Sequence, residues 1–144
     1  MNLKNINFTN CIVKKQINNV ARKFALKLII VFGSQVTRKT HEKSDFDLAL
    51  LAKKSNFTLK QYSNLVFHLQ KVFPEQELDI VFVSHADPLL LKKIVETGFL
   101  LYGKKRDFAE FKIYAFHRYQ DYQPYFELEK KVVENYIRKL NYAH

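Results

Sequence analysis

The sequence is poor in cysteine, glycine and proline. Cys11 is its only cysteine, and it has three glycines and three prolines in 144 residues. One cysteine cannot form an internal disulfide, so we expect a reducing compartment, the cytoplasm. The low glycine and proline content, beside a hydrophobic share of 47%, indicates a globular chain and excludes disordered and fibrous classes.

The sequence also lacks any long apolar segment. No apolar run approaches the ~18 residues that span a membrane, and the first residues do not resemble a secretory signal. There is no internal repeat, low-complexity tract or linker, and the five histidines lack metal-ligand spacing. We therefore predict a single domain over residues 1–144, with a core at about 10–103 and a C-terminal helical segment at about 104–144.

The charge of the chain is strongly positive, at +10. Positive charge attracts phosphates, so a nucleic acid, a triphosphate or an acidic protein would each be a compatible partner. The lysines are scattered in short pairs such as Lys53-Lys54 and Lys92-Lys93. Scattered pairs are typical of solvated surfaces, so we do not expect nucleic acid as the direct substrate.

The spacing of apolar residues predicts alternating helices and strands. Strands are predicted at residues 28–32, 46–51, 77–83 and 98–103. Helices are predicted at about 10–27, 58–73, 88–95 and 106–140, the last with a break near Pro124. Thr9 or Asn10 could cap the first helix, and Asp87 the third. This order predicts an α/β (α+β) fold, in which helices flank a mixed sheet.

Three carboxylates fall on the predicted strands. Asp45 and Asp47 are two residues apart at the start of one strand, so their side chains point to one face. Asp79 interrupts the apolar run of the next strand. Buried carboxylates repel one another and are costly unless a cation lies between them. Hard oxygen ligands suit Mg²⁺, so we predict a magnesium site on Asp45, Asp47 and Asp79.

A glycine turn precedes these acids. Gly33 and Ser34 follow the first predicted strand, and glycine lets the backbone approach a phosphate closely. Amide groups at such a turn can bind anions, and the Ser34 hydroxyl adds a donor. A phosphate-binding turn beside a carboxylate metal site predicts phosphoryl-transfer chemistry on a nucleoside triphosphate.

Gly33-Ser34, ten intervening residues and then Asp45-Phe46-Asp47 form a pattern that resembles the G-S-x10-D-x-D signature of the polymerase β nucleotidyltransferase superfamily. Asp79 resembles the third catalytic carboxylate of that superfamily, on the following strand. In size the chain is similar to the minimal nucleotidyltransferases (MNT), the MntA-type antitoxins of HEPN–MNT toxin–antitoxin pairs.

The resemblance implies an activity and a partner. It implies transfer of AMP from ATP to a tyrosine of a HEPN ribonuclease toxin, which neutralises the toxin within a hetero-oligomer. Asp45 and Asp47 would bind the Mg²⁺ that accompanies the β- and γ-phosphates and would share a second ion. Asp79 would hold that second ion and accept the proton of the attacking hydroxyl. Gly33 and Ser34 would hold the triphosphate.

Two alternatives to toxin AMPylation remain open. The acceptor could be a small molecule or a nucleic-acid end, although so short a chain lacks the added domains that grip a long polymer. The chain could also be an antitoxin that acts by binding alone. One departure concerns the loop after Ser34: many family members have a glycine where this chain has Arg38. Arg38 and Lys39 could contact the triphosphate or remain exposed.

The region after residue 104 is rich in aromatic residues. They are Phe108, Phe111, Tyr114, Phe116, Tyr119, Tyr122, Tyr125 and Phe126. They can form a helix face packed on the sheet, or a protein interface, where aromatic residues are enriched. Different faces of one helix could serve both purposes.

Overall fold

The computed structural model describes residues 10–33 and 45–143, which form a four-stranded sheet with helices on both faces. The strands are β1 (Leu26–Phe32), β2 (Phe46–Ala52), β3 (Leu78–Phe82) and β4 (Phe99–Tyr102). The helices are α1 (Cys11–Lys23), α2 (Leu59–Val72), α3 (Pro88–Thr97) and α4 (Lys105–Tyr142). The predicted fold class is confirmed. Within these ranges, no helix combines the length and apolarity that crossing a membrane would need.

The sheet is mixed, with strand order β3-β2-β1-β4. Strand β1 is antiparallel to both of its neighbours, β2 and β4, while β2 and β3 are parallel. The carboxyl end of β1 therefore lies beside the amino ends of β2 and β3. This edge of the sheet is where the glycine turn and the acidic residues of the sequence are found.

Alternating side chains of the strands form two separate cores. On one face, Phe46, Leu48 and Leu50 of β2 pack with residues of α1 and α2. On the other face, Ala49 of β2 and Phe32 of β1 pack with residues of α3 and α4. Since Asp47 lies between Phe46 and Leu48, it projects from the face that α3 and α4 cover.

Most predicted helix starts are confirmed by capping contacts. The Asn10 side chain accepts a hydrogen bond from the Ile12 N–H at 3.1 Å, and the Asp87 carboxylate accepts one from the Leu90 N–H at 2.9 Å. The predicted end of the first helix, at residue 27, is wrong. Helix α1 ends at Lys23 because Ala25 turns the chain with a φ of 49°, so that β1 can begin.

The predicted break near Pro124 is also wrong, because α4 is one helix of 38 residues with Pro124 inside it. Proline has no N–H to donate to the carbonyl four residues earlier, here that of Gln120. Gln120 is exposed, so water can satisfy its carbonyl. Packing on the sheet side is confirmed for the first third of α4, where Phe111 and Ala115 are buried.

Candidate active site

The two acidic strands place their carboxylates side by side. Asp47 of β2 is the register partner of Asp79 on the parallel strand β3, and of Phe32 on the antiparallel strand β1. Register partners on neighbouring strands are about 5 Å apart and point to the same face. Asp45 lies two residues before Asp47, in the position that shares this face. The register brings Asp47 and Asp79 together, and Asp45 lies close enough to act electrostatically on Asp47.

A backbone hydrogen bond fixes the start of β2, where Asp45 and Asp47 lie. The Phe46 N–H donates to the Glu77 carbonyl at 2.8 Å, one residue before β3 begins. The Phe46 side chain is fully buried on the opposite face and contacts Phe73, with ring centroids 4.9 Å apart. Because Phe46 is anchored through both its backbone and its ring, the flanking acids Asp45 and Asp47 are held on the helix α3 face.

The electrostatics of Asp47 show that the three acids interact. Partial burial raises the pKa of the Asp47 carboxyl above its ordinary value, because the charged form loses solvation. The Lys93 ammonium acts in the opposite direction, and the negative charges of Asp79 and Asp45 raise that pKa further. A cation at this position would relieve the repulsion.

The three acids differ in how far they are buried. The argument that all of them occupy costly buried positions holds only for Asp47, which is half-buried, whereas Asp45 and Asp79 are exposed. Asp79 is exposed because β3 is an edge strand of the sheet. Its register with Asp47, and not its burial, is therefore what assigns it to the site.

Gly33 lies directly against the Asp47 carboxylate. It has a φ of +79°, a conformation that favours glycine, and a β-carbon there would collide with the Asp47 carboxylate. Its N–H donates to the Thr97 hydroxyl at 3.1 Å, and that hydroxyl donates to the Lys93 carbonyl at 2.8 Å. The Gly33 amide is thus engaged by α3, and the absent side chain is what lets Asp47 approach.

Ser34, Arg38 and Lys39 lie outside the described residues, so their predicted contacts with a triphosphate stay predictions. The structure adds two residues that sequence reasoning missed, Lys93 and Thr97 of α3. The scattered pair Lys92-Lys93 predicts only a solvated surface. A signal was present, since Lys93 and Thr97 are four residues apart on one helix face, directly before Gly98 returns the chain to the sheet.

The donor chemistry of the site fits Mg²⁺, although no preassembled ligand set is present. Within residues 10–33 and 45–143, no group of three His, Cys, Asp or Glu side chains converges closely enough to hold a metal ion. Mg²⁺ commonly uses only one or two carboxylates and takes its remaining ligands from water and substrate phosphates. Asp47 with either neighbouring acid meets that requirement.

Comparison with known proteins agrees with this geometry. The family model described as polymerase beta, nucleotidyltransferase, matches residues 15–107. Among functionally curated proteins, none matches the sequence.

Solved structures of toxin–antitoxin complexes share the fold. One, crystallised with AMP-PNP, is similar with a TM-score of 0.72 and 25% identity, over 84% of this chain and 98% of that chain. A second, the MntA–HepT complex, has a TM-score of 0.67 and 23% identity, over 85% and 97% of the two chains. A third contains the tri-AMPylated HEPN toxin of Shewanella oneidensis with its MNT antitoxin, and has a TM-score of 0.66 and 23% identity, over 85% and 97%.

The family match covers more than half of the sequence and includes Gly33, Asp45, Asp47 and Asp79. The chain belongs to the polymerase β nucleotidyltransferase family.

Proposed function

We propose that this protein is an antitoxin that transfers AMP from ATP to a tyrosine of a HEPN-family toxin and thereby neutralises it. The observation that carries the chemistry is the register of Asp47 with Asp79, which puts two carboxylates on one face beside the Gly33 bend. The toxin as acceptor is supported by the similar toxin–antitoxin structures, one of which holds an AMPylated HEPN toxin.

In the proposed reaction, the tyrosine oxygen forms a bond to the α-phosphorus of ATP while the bond from that phosphorus to the β-phosphate oxygen breaks. Pyrophosphate leaves, and the tyrosine proton passes to Asp79, which is more exposed than its register partner Asp47. Asp45, Asp47 and Asp79 would hold two Mg²⁺ ions. Bound Mg²⁺ supplies stabilisation of the attacking and leaving oxygens. Ser34 would hold the triphosphate at the bend that Gly33 makes, where the Gly33 N–H is engaged by Thr97.

The partner needs a docking surface, and α4 provides a candidate. From Tyr119 to Tyr142 this helix continues for about 35 Å, and its side chains beyond residue 119 are almost all exposed. Large apolar side chains recur there every three or four residues, which places them on one side of the helix. They include Tyr125, Leu128, Val132, Tyr136 and Leu140, each at least half exposed.

The other side of this part of α4 is charged. Glu127, Lys131, Glu134 and Arg138 lie there, so the helix is amphipathic with its apolar side facing no other described element. Exposed apolar patches of this kind mark protein-binding sites. We propose that the toxin occupies it, because the transfer reaction requires a bound protein acceptor. This predicted interface extends the aromatic segment noted in the sequence.

The test uses ATP labelled at either the α- or the γ-phosphate, with Mg²⁺ and the purified product of the neighbouring gene as the toxin to be tested. The proposal requires label from the α-position on a toxin tyrosine, none from the γ-position, and loss of toxin ribonuclease activity. The double variant Asp45→Asn/Asp47→Asn should transfer nothing, while Asp121→Asn, which removes an exposed carboxylate on α4, should transfer normally. Inhibition of the toxin without label would show that the protein acts by binding alone.

A further inference from the structure

Lys93 lies at the same edge of the sheet as the three acids. Its ammonium is 5.9 Å from the ring centroid of Phe32, the register partner of Asp47 and the residue directly before Gly33. Phe32 is buried, with 4% of its surface exposed, whereas Lys93 is exposed. The lysine side chain therefore extends over the buried ring towards the mouth of the site.

The backbone of Lys93 is tied to the glycine bend. Thr97, one helical turn later, links the Lys93 carbonyl to the Gly33 N–H through its hydroxyl. This connection ties α3 to the glycine bend, so Lys93 cannot shift along the sheet without breaking two hydrogen bonds. The root of the Lys93 side chain is therefore held beside the bend, which keeps its ammonium within reach of an anionic ligand bound there.

Lys93 is also not neutralised by the described acids. Its charge acts on Asp47 electrostatically, but no ion pair within 4.0 Å joins it to any carboxylate in residues 10–33 and 45–143. Its neighbour Lys92 differs, because it pairs with Glu96 at 3.6 Å and lies over the Tyr119 ring at 4.7 Å. The two adjacent lysines thus face different surroundings.

We propose that the Lys93 ammonium binds the β- and γ-phosphates of the nucleotide and stays with them as pyrophosphate leaves. This rests on the proposed function only in taking a nucleoside triphosphate as substrate. The three acids can hold a triphosphate only if its own negative charge is offset, and Lys93 is the cation that acts on Asp47 among the residues that the structure describes. The α-phosphate is the reacting group, so a contact with the other two phosphates secures the leaving group without blocking the acceptor.

The experiment measures binding without any acceptor. Wild type, Lys93→Ala, Lys93→Arg and the matched control Lys92→Ala are titrated with α,β-methylene-ATP, pyrophosphate and AMP in the presence of Mg²⁺. Lys93→Ala removes one charged phosphate contact. It should therefore bind α,β-methylene-ATP and pyrophosphate about 10- to 100-fold more weakly than wild type. Binding of AMP should change less than about twofold. Lys93→Arg should recover most of the loss, and Lys92→Ala should match wild type.

The outcomes separate the two claims. Equal binding of α,β-methylene-ATP by wild type and Lys93→Ala overturns the role of Lys93, whatever the acceptor. Equal weakening for AMP and α,β-methylene-ATP also overturns it, since that points to a general disturbance of the site. If wild type binds no nucleotide, this proposal and the transferase function both fail. Weakened triphosphate binding by Lys93→Ala without any labelling of the toxin would support Lys93 and overturn only the proposed acceptor.

Discussion

Gly33 and Asp47 are so close that a β-carbon on Gly33 would overlap the Oδ2 atom of Asp47. The contact joins the carboxyl end of β1 to the amino end of β2 across their antiparallel pairing. It explains in this fold why glycine stands at the first position of the Gly-Ser pattern. The residue makes room for the Asp47 carboxylate.

Gly33→Ala should therefore displace Asp47 as well as strain the backbone at a φ of +79°. We expect a loss of stability of about 1–3 kcal/mol and transfer activity at least ~100-fold lower. Denaturant unfolding and the labelling assay measure the two effects. Gly103→Ala is the matched control, since Gly103 also has a positive φ, of 119°, but lies near Lys27 at the other end of β1. If Gly33→Ala and Gly103→Ala lose activity in the same proportion to their loss of stability, the displacement of Asp47 is not what lowers activity in Gly33→Ala.

Asp47→Asn should stabilise the protein in the absence of Mg²⁺ while abolishing transfer. Since the pKa of the Asp47 carboxyl is raised by burial, its ionised form costs stability once the pH exceeds the ordinary aspartate pKa. That cost grows as the pH rises through the folded-state pKa and is constant above it. The variant removes the cost, so we expect a Tm higher by on the order of 2 °C at pH 7.

The gain from Asp47→Asn should shrink as the pH falls towards the ordinary aspartate pKa of about 4. It should vanish at about pH 3, where the wild-type carboxyl is largely protonated in both folded and unfolded chains. Melting curves between pH 4 and pH 8 test the sign. Asp121→Asn, at an exposed position on α4, should leave the Tm unchanged at every pH. A lower Tm for Asp47→Asn than for wild type at pH 7 would show that the ionised carboxylate stabilises the fold, which contradicts this prediction.

Alternation along a strand was enough to predict that Asp45 and Asp47 share a face, because that relationship is local. The register of Asp79 with Asp47 needs the pairing of β2 with β3, which a single sequence does not encode locally. The position of Lys93 depends on how α3 crosses the end of β1. That crossing is set by packing in the core between the sheet and helices α3 and α4. Local patterns therefore predict the shared face of Asp45 and Asp47 but not the place of Lys93 beside them.

Helix α4 shows the opposite failure of local reasoning. Proline usually ends or kinks a helix, yet α4 continues past Pro124. Nearly all side chains of this part of α4 are exposed within the described chain, and Gln120 is exposed, so water can satisfy its carbonyl. The amphipathic pattern after Pro124 was visible in the sequence. Its exposure was not, because only the structure shows that the sheet ends before this part of the helix.

Thr97 is expected to position the glycine bend and α3 through its hydroxyl. Thr97→Val removes the acceptor of the Gly33 N–H and the donor to the Lys93 carbonyl while keeping the shape of the side chain. We expect a cost of about 1 kcal/mol and weaker binding of α,β-methylene-ATP. Thr97→Ser keeps the hydroxyl and should restore both values. If Thr97→Val keeps the wild-type values and Thr97→Ser loses them, the methyl group and not the hydroxyl is what matters.

The apolar side of α4 gives the last prediction, on partner binding. Val132→Glu with Tyr136→Glu places two charges on that side, where both residues are more than 60% exposed. The protein alone should keep its stability and its nucleotide binding, because neither side chain contacts the core. Burying two carboxylates in an apolar interface is costly, so affinity for the toxin should fall at least ~100-fold.

Asn141→Glu is the control for this interface, because Asn141 lies nine residues after Val132 and so on the opposite side of the helix. It should bind the toxin as wild type does. Calorimetry with purified toxin gives the affinity, and the sedimentation of each variant alone gives its oligomeric state. A change of sedimentation with unchanged toxin affinity would assign the surface to a second copy of this chain and remove the toxin as its occupant.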